Sequence, residues 1–221
     1  VVYDLPTPAG LLEELEKLCG ARLVLVPFDA PFNFSEKCNR GFLAASGEVV
    51  VFLNDDIEIG SDDFLEQLCA PLEEASVGLT GVRLLYPDGT LQHAGHAYFG
   101  QHLRHAYLGS LDSDPGYFGD LVVDREVSGL TAACVAVRRD VFDEVGGFWQ
   151  SLPSNFNDVD FSRKIRSAGY RLIWLADVRA THFESRTRVN TVHDWEASLI
   201  FGRWQNEPRD PYLAFLGDVD A

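Results

Sequence analysis

Three stretches of this chain carry groups that could do chemistry: Asn54-Asp55-Asp56, Asn157-Asp158-Val159-Asp160, and Thr181-His182-Phe183-Glu184-Ser185-Arg186. The first closes an apolar run, Val49-Val50-Val51-Phe52-Leu53, and so sets adjacent carboxylates where a buried strand meets solvent. Neighbouring acids repel unless a cation lies between them. A hard divalent ion takes carboxylate oxygens and bridges to substrate phosphates, so the junction could anchor a metal. It could equally be a solvated turn whose acids cap the next helix. Asn157 and Asp158 sit where a helix should start, as caps or as a positioned base. His182 is a metal ligand or a surface residue. His93 and His96 stand at i, i+3 around Ala94-Gly95 with no third ligand nearby in sequence, which favours packing or a substrate wall over a metal pair.

A scaffold must bring these groups together, and 221 residues suffice for one sizeable core. Five apolar residues in a row, three of them β-branched, read as a strand covered on both faces, whose carboxyl end is where open α/β sheets bind ligands. Around it the pattern alternates. Val1–Tyr3 reads as a strand, Leu11 to Leu18 as a helix closed by Gly20, and Arg22–Phe28 as a strand. Ser35 is placed to cap a helix running to about Ser46. Ser61 with Asp62 and Asp63 opens another helix, and Val77–Leu85 is a further strand. Such alternation implies a parallel sheet with covering helices. Residues 90–127, rich in His, Gly, Tyr and Asp, read as a functional insertion or β-ribbon. Beyond them come a strand at Thr131–Val137, helices at Asp140–Val145 and Asn157–Ala168, a strand at Arg171–Leu175, and a helix at Asp194–Trp204.

The formal net charge of −16 opposes nucleic acid and anionic lipid as partners, so a phosphorylated ligand would need a local cation or helix N-termini. Cys19, Cys38, Cys69 and Cys134 lack CxxC spacing and read as buried free thiols, which favours a reducing compartment. No stretch has the length of a membrane span, and no signal-peptide pattern is present. The chain starts with Val and contains no Met, so its natural N-terminus is expected upstream.

Several segments then fall into a recognisable order. They are Phe32-Asn33-Phe34-Ser35 with Asn39, Gly47-Glu48, Phe52-Leu53-Asn54-Asp55-Asp56, and the run Leu84-Leu85-Tyr86-Pro87-Asp88-Gly89-Thr90-Leu91-Gln92-His93-Ala94-Gly95. Thr131-Ala132-Ala133-Cys134, Val145-Gly146-Gly147-Phe148, Phe156-Asn157-Asp158-Val159-Asp160-Phe161 and His182 with Glu184-Ser185-Arg186 complete it. From about Phe32 to Arg188 the chain resembles family 2 inverting glycosyltransferases of the GT-A fold, near the bacterial rhamnosyltransferase-like branch.

The resemblance implies an α/β, Rossmann-like fold with a mostly parallel central sheet, helices on both faces and the family's first strand absent. Residues 1–89 would form the nucleotide-binding half, 90–190 the acceptor and catalytic half, and 191–221 a C-terminal helical tail. It implies metal-dependent transfer of a sugar, with inversion, from a nucleotide-diphosphate donor (dTDP-rhamnose or a UDP-sugar) to a hydroxyl of a glycan or polysaccharide precursor. Asp56 would ligate Mn²⁺ or Mg²⁺, with His182 as additional ligand and Asn54 and Asp55 assisting, unless Asp55 instead faces the ribose or sugar. Asp4, Asn54, Asp55 and Arg186 would face the donor, though Arg186 and Arg188 could instead pair with local acids. Asp158 would be the catalytic base, and Asp160 a supporting acid. Trp149, Asn157 and His93 would line the acceptor side, where Trp149 and Phe156 could equally be core anchors. Asn157 departs from the family's Glu-Asp pattern, which affects acceptor contacts or tuning of the base. The expected location is the cytoplasm, including the inner face of its membrane. A non-catalytic sugar- or nucleotide-binding domain of the same ancestry is the alternative.

Overall fold

The computed structural model describes residues 1–5, 7–99, 102–183, 192–204 and 210–213. The apolar run that ends in the acidic junction is strand β3 (Val49–Leu53), numbered after β1 (Val2–Asp4) and β2 (Val26–Phe28). It forms one edge of a seven-stranded sheet. Beside it lie β10 (Cys134–Arg138), β5 (Val77–Leu85), β11 (Arg171–His182) and β4 (Ile57–Ile59), in that order. Strand β6 (Leu91–His93) pairs with β5, and β9 (Arg125–Glu126) with β11.

The α/β class holds, but the sheet is mixed rather than mostly parallel. β10 runs against both β3 and β5, and β11 runs with β5, so β3, β5 and β11 share one direction. The remaining strands oppose them. A parallel partner needs a crossover of a dozen or more residues. The Tyr86–Thr90 turn after β5 is far shorter, so β6 must fold back antiparallel. β1 and β2 form a separate parallel ladder joined through α1 (Ala9–Cys19). Within residues 90–127, β7 (His96–Phe99) and β8 (His102–His105) make the expected antiparallel ribbon.

Period-two alternation splits the core between the two faces of the sheet. Val50 and Phe52 of β3, with Val135 and Val137 of β10, meet α2 (Phe34–Ala44), α4 (Arg139–Val145) and α5 (Asn157–Ser167) through Phe42, Phe142, Phe161 and Ile165. Val49, Val51, Cys134 and Ala136 face α3 (Phe64–Cys69) through Phe64 and Leu68. All four cysteines are free, and burial pushes the Cys134 thiol up to about 12, which keeps it protonated and inert. α6 (Asp194–Arg203) is tied to α5: Trp204 Nε1 donates to Asp160 Oδ1 at 2.9 Å, and Arg203 pairs with the same carboxylate. Among the described residues no helix is long and apolar enough to cross a membrane.

Helix α2 is capped by Asn33 rather than Ser35. The Asn33 side-chain oxygen accepts from the Glu36 N–H at 3.0 Å, while buried Ser35 donates to the Leu152 carbonyl. An amide oxygen caps as well as a hydroxyl, which frees Ser35 for this long-range contact. The same helix grips the segment after Gly146-Gly147. Asn33 Nδ2 donates to Gln150 O, and Asn39 clasps Phe148 from both sides, Nδ2 to its carbonyl and Oδ1 from its N–H, each at 2.9 Å. Phe148 in turn stacks on Phe161 at 4.3 Å between ring centroids, which seats the start of α5. Asn39→Ala leaves both backbone groups of Phe148 without these partners. We expect it to cost about 2–3 kcal/mol and to lower the melting midpoint by about 5–10 °C in a thermal melt followed by circular dichroism.

Candidate active site

The acidic junction and His182 meet because β4 and β11 are antiparallel neighbours. Ile57 pairs with His182, and the Phe183 N–H donates to the Asp56 carbonyl at 2.9 Å. Asn54, just past β3, is held by its own N–H on the Ala133 carbonyl. His182 Nδ1 lies 2.7 Å from Gln92 Oε1. An amide oxygen only accepts, so Nδ1 carries a proton and Nε2 is the nitrogen turned to the acidic junction. That nitrogen faces Asp56 Oδ1 at 3.0 Å and the Asn54 amide nitrogen at 3.5 Å. Asp56 Oδ1 is buried, with His182 Nε2 as its one close polar contact among the described residues. A proton on Nε2 would make this contact an ion pair, and without one the two lone pairs repel. A shared cation removes that repulsion, and a carboxylate with a neutral imidazole suits a divalent ion such as Mn²⁺. The residues present therefore fit the metal. Asp55, in the turn, is exposed.

A second group forms at the start of α5. Phe156, at φ 60°, turns the chain into the helix, and Asn157 is buried beneath it. Asp158 Oδ1 accepts from the N–H of Val159 at 2.8 Å, leaving Oδ2 turned toward His96, 3.8 Å from its Nε2. One oxygen is anchored and the other offered, which is a suitable posture for a base. Asp160 is fully buried and pairs with Lys164 and Arg203. Strand β6 links the two groups: Gln92 orients His182, while the next residue, His93, faces His96 and His105.

The structure thus unites Asp56, His182 and Asn54, and separately gathers Asp158 with His96. Asp4 lies on the β1–β2 ladder and pairs with Lys37 at 2.6 Å. His93 is buried, with 1% of its surface exposed, and so does not form an open wall. Trp149 is half-buried against α6, with the Arg203 guanidinium 4.6 Å over its ring. Arg186 and Arg188 lie outside the described residues. Two participants escaped sequence reasoning. Gln92 stood inside a motif without a role, and its signal was adjacency to the histidine-rich run. His105 sits in an aperiodic stretch, and only the ribbon register, in which it pairs with His96, discloses it.

The sequence profile of the glycosyltransferase-like family 2 matches residues 9–205. The chain belongs to this family, as a glycosyltransferase domain of GT-A fold. An uncharacterized protein, y4gI, of Sinorhizobium fredii is 38% identical over 192 residues, 85% of this chain and 21% of its own length. The O-antigen biosynthesis protein RfbC of Myxococcus xanthus is 31% identical over 207 residues, 90% of this chain and 16% of its own. The chain therefore spans about a fifth of these curated relatives. Among solved structures, GalNAc-T7 with UDP, GalNAc and Mn²⁺ superposes with a TM-score of 0.69 at 16% identity, over 93% of this chain and 41% of that one.

Proposed function

We propose that this domain transfers a sugar, with inversion, from a nucleotide-diphosphate donor to a hydroxyl of a glycan or polysaccharide precursor. The observation that carries the reading is the buried Asp56 Oδ1 set 3.0 Å from Nε2 of His182, with Asn54 beside them. Asp56 and His182, with Asn54 beside them, would hold a divalent ion, Mn²⁺ by the chemistry of the set. When bound, that ion neutralises charge on the departing diphosphate as a Lewis acid. The chain supplies the remainder. Gln92 fixes the ring of His182 in the tautomer that can ligate. Asp158 accepts the proton of the acceptor hydroxyl at Oδ2, with Oδ1 held on the Val159 N–H. Attack by that hydroxyl in a single displacement inverts the anomeric centre, as in inverting glycoside hydrolysis with an alcohol in place of water.

The relative RfbC is named for O-antigen biosynthesis, which supports a surface-polysaccharide acceptor and dTDP-rhamnose or a UDP-sugar as donor. Asp4, Asp55 and Arg186 are assigned to the donor, and Trp149 and Asn157 to the acceptor. Action at the cytoplasmic face of the membrane accords with such a precursor. Calorimetry with UDP-sugars and dTDP-rhamnose, with and without Mn²⁺, tests the reading on the full protein. We expect binding of one donor class that strengthens with Mn²⁺. Binding of none in either condition would overturn the transferase assignment.

A further inference from the structure

His93, His96 and His105 form a cluster separate from Asp56 and His182. Each offers a ring nitrogen, and the three lie within 4.8 Å of one another. The β7–β8 register sets His105 opposite His96, and Gly95, at φ +94°, bends the chain so that His93 returns to the same point. The arrangement is tight. At Gly129 a Cβ would come within 2.8 Å of His96 Nδ1, so only glycine fits there. The three rings form a triangle with centroids 5.0, 4.8 and 5.0 Å apart and planes 77°, 77° and 82° to one another. Three imidazoles on one tetrahedral ion, each with a metal–nitrogen bond of about 2 Å, would put their centroids about 5 Å apart.

From this triangle we propose that His93, His96 and His105 are a second metal site, which takes a borderline divalent ion of the Zn²⁺ type. Two further features support it. His96 Nδ1 is buried without a hydrogen-bond partner, while its Nε2 looks toward Asp158. Ligating histidines commonly present the other ring nitrogen to a carboxylate in this way. Burial holds His93 well below the ordinary range and His96 down to about 4, with the neighbouring imidazoles adding to the effect at both and Asp158 opposing it at His96. Both rings are neutral at physiological pH, as metal binding requires.

Without metal, the Thr131 N–H donates to His93 Nε2, so the His93 proton sits on Nδ1 and bridges to His105 Nδ1 at 2.9 Å. Loading would shift that proton from Nδ1 to Nε2, release the Thr131 N–H from the ring, and replace the His93–His105 hydrogen bond by coordinate bonds from the two Nδ1 atoms. Three imidazoles favour Zn²⁺ or Co²⁺ over Mg²⁺ or Ca²⁺, which seek oxygen. The ion would fasten the β6 strand and the β7–β8 ribbon together beside the first turn of α5, and add positive charge next to Asp158. None of its ligands belongs to the proposed donor-metal set, so the two assignments stand or fall separately.

Co²⁺ titration of the metal-stripped chain, followed by visible absorption and by metal analysis after dialysis, tests the site. In an Asp56→Asn background, which disables the donor-metal set, we expect one equivalent of Co²⁺ with the intense bands of four-coordinate geometry, displaced by Zn²⁺. His105→Gln, chosen because His105 is only half-buried, should weaken Co²⁺ binding by at least about 100-fold, the upper range for loss of a mere supporting partner. No bound Co²⁺ in the Asp56→Asn chain would overturn the site and leave a hydrogen-bonded imidazole triad. Undiminished binding in a folded His105→Gln chain would overturn it too. Should His105→Gln fail to fold, the Asp56→Asn titration decides alone.

Discussion

Asp158→Asn should abolish sugar transfer while leaving donor affinity essentially unchanged. The substitution is nearly isosteric and keeps an oxygen to accept from the Val159 N–H, so the turn into α5 is preserved. What disappears is the basic oxygen proposed to take the proton of the acceptor hydroxyl. General-base catalysis contributes about 100- to 10,000-fold, equivalent to about 3–5.5 kcal/mol of transition-state stabilisation. Turnover measured at saturating donor should fall by that factor, and calorimetric donor affinity should not move. An equal loss in both would show that Asp158 helps bind the donor instead. Retention of full turnover would remove it from the mechanism.

Asp56→Asn is expected to sever the dependence of donor binding on Mn²⁺. Asp56 brings the carboxylate charge to the set it forms with His182 and Asn54. Asparagine retains the shape but removes the charge and leaves a far poorer ligand. Donor affinity in Mn²⁺ should fall to the level measured in chelator. Gln92→Leu gives a graded companion: it meets His182 at Nδ1, and its loss frees the imidazole to present the wrong tautomer. Mn²⁺ affinity should then weaken about 10- to 100-fold with the donor pocket otherwise intact. An Asp56→Asn chain that still gained donor affinity on Mn²⁺ addition would refute the assignment of this junction.

The local elements were legible because their signals are local. The β3 run, the Gly-terminated helices, the 90–127 ribbon and the acid at the head of α5 each follow from periodicity or punctuation over a few residues. Strand direction was not, since β10 and β4 reach their places through tertiary pairing that no short window records. The acids and the imidazole could be nominated singly and ordered by family resemblance. Their contact depends on Ile57 registering against His182. Gln92 lay hidden because an amide carries no chemical flag until one sees what it touches. The histidine triangle was missed for a similar reason. Its third corner is a cross-strand partner, and sequence spacing around His93 and His96 gives no warning of it.

Strand β3 has a consequence for handling the protein. Among the described residues it pairs on one side only, with β10. Its other margin is a row of amide and carbonyl groups on a Val-Val-Val-Phe-Leu segment, and such margins recruit further strands. Leu53, half of whose surface is open at 46% exposure, marks where that margin meets the donor junction. A strand added there, from another copy or from elsewhere in a longer polypeptide, would border Asn54 and Asp55. Edge pairing would then compete with the proposed donor site for the same rim, which donor affinity measured against protein concentration would reveal.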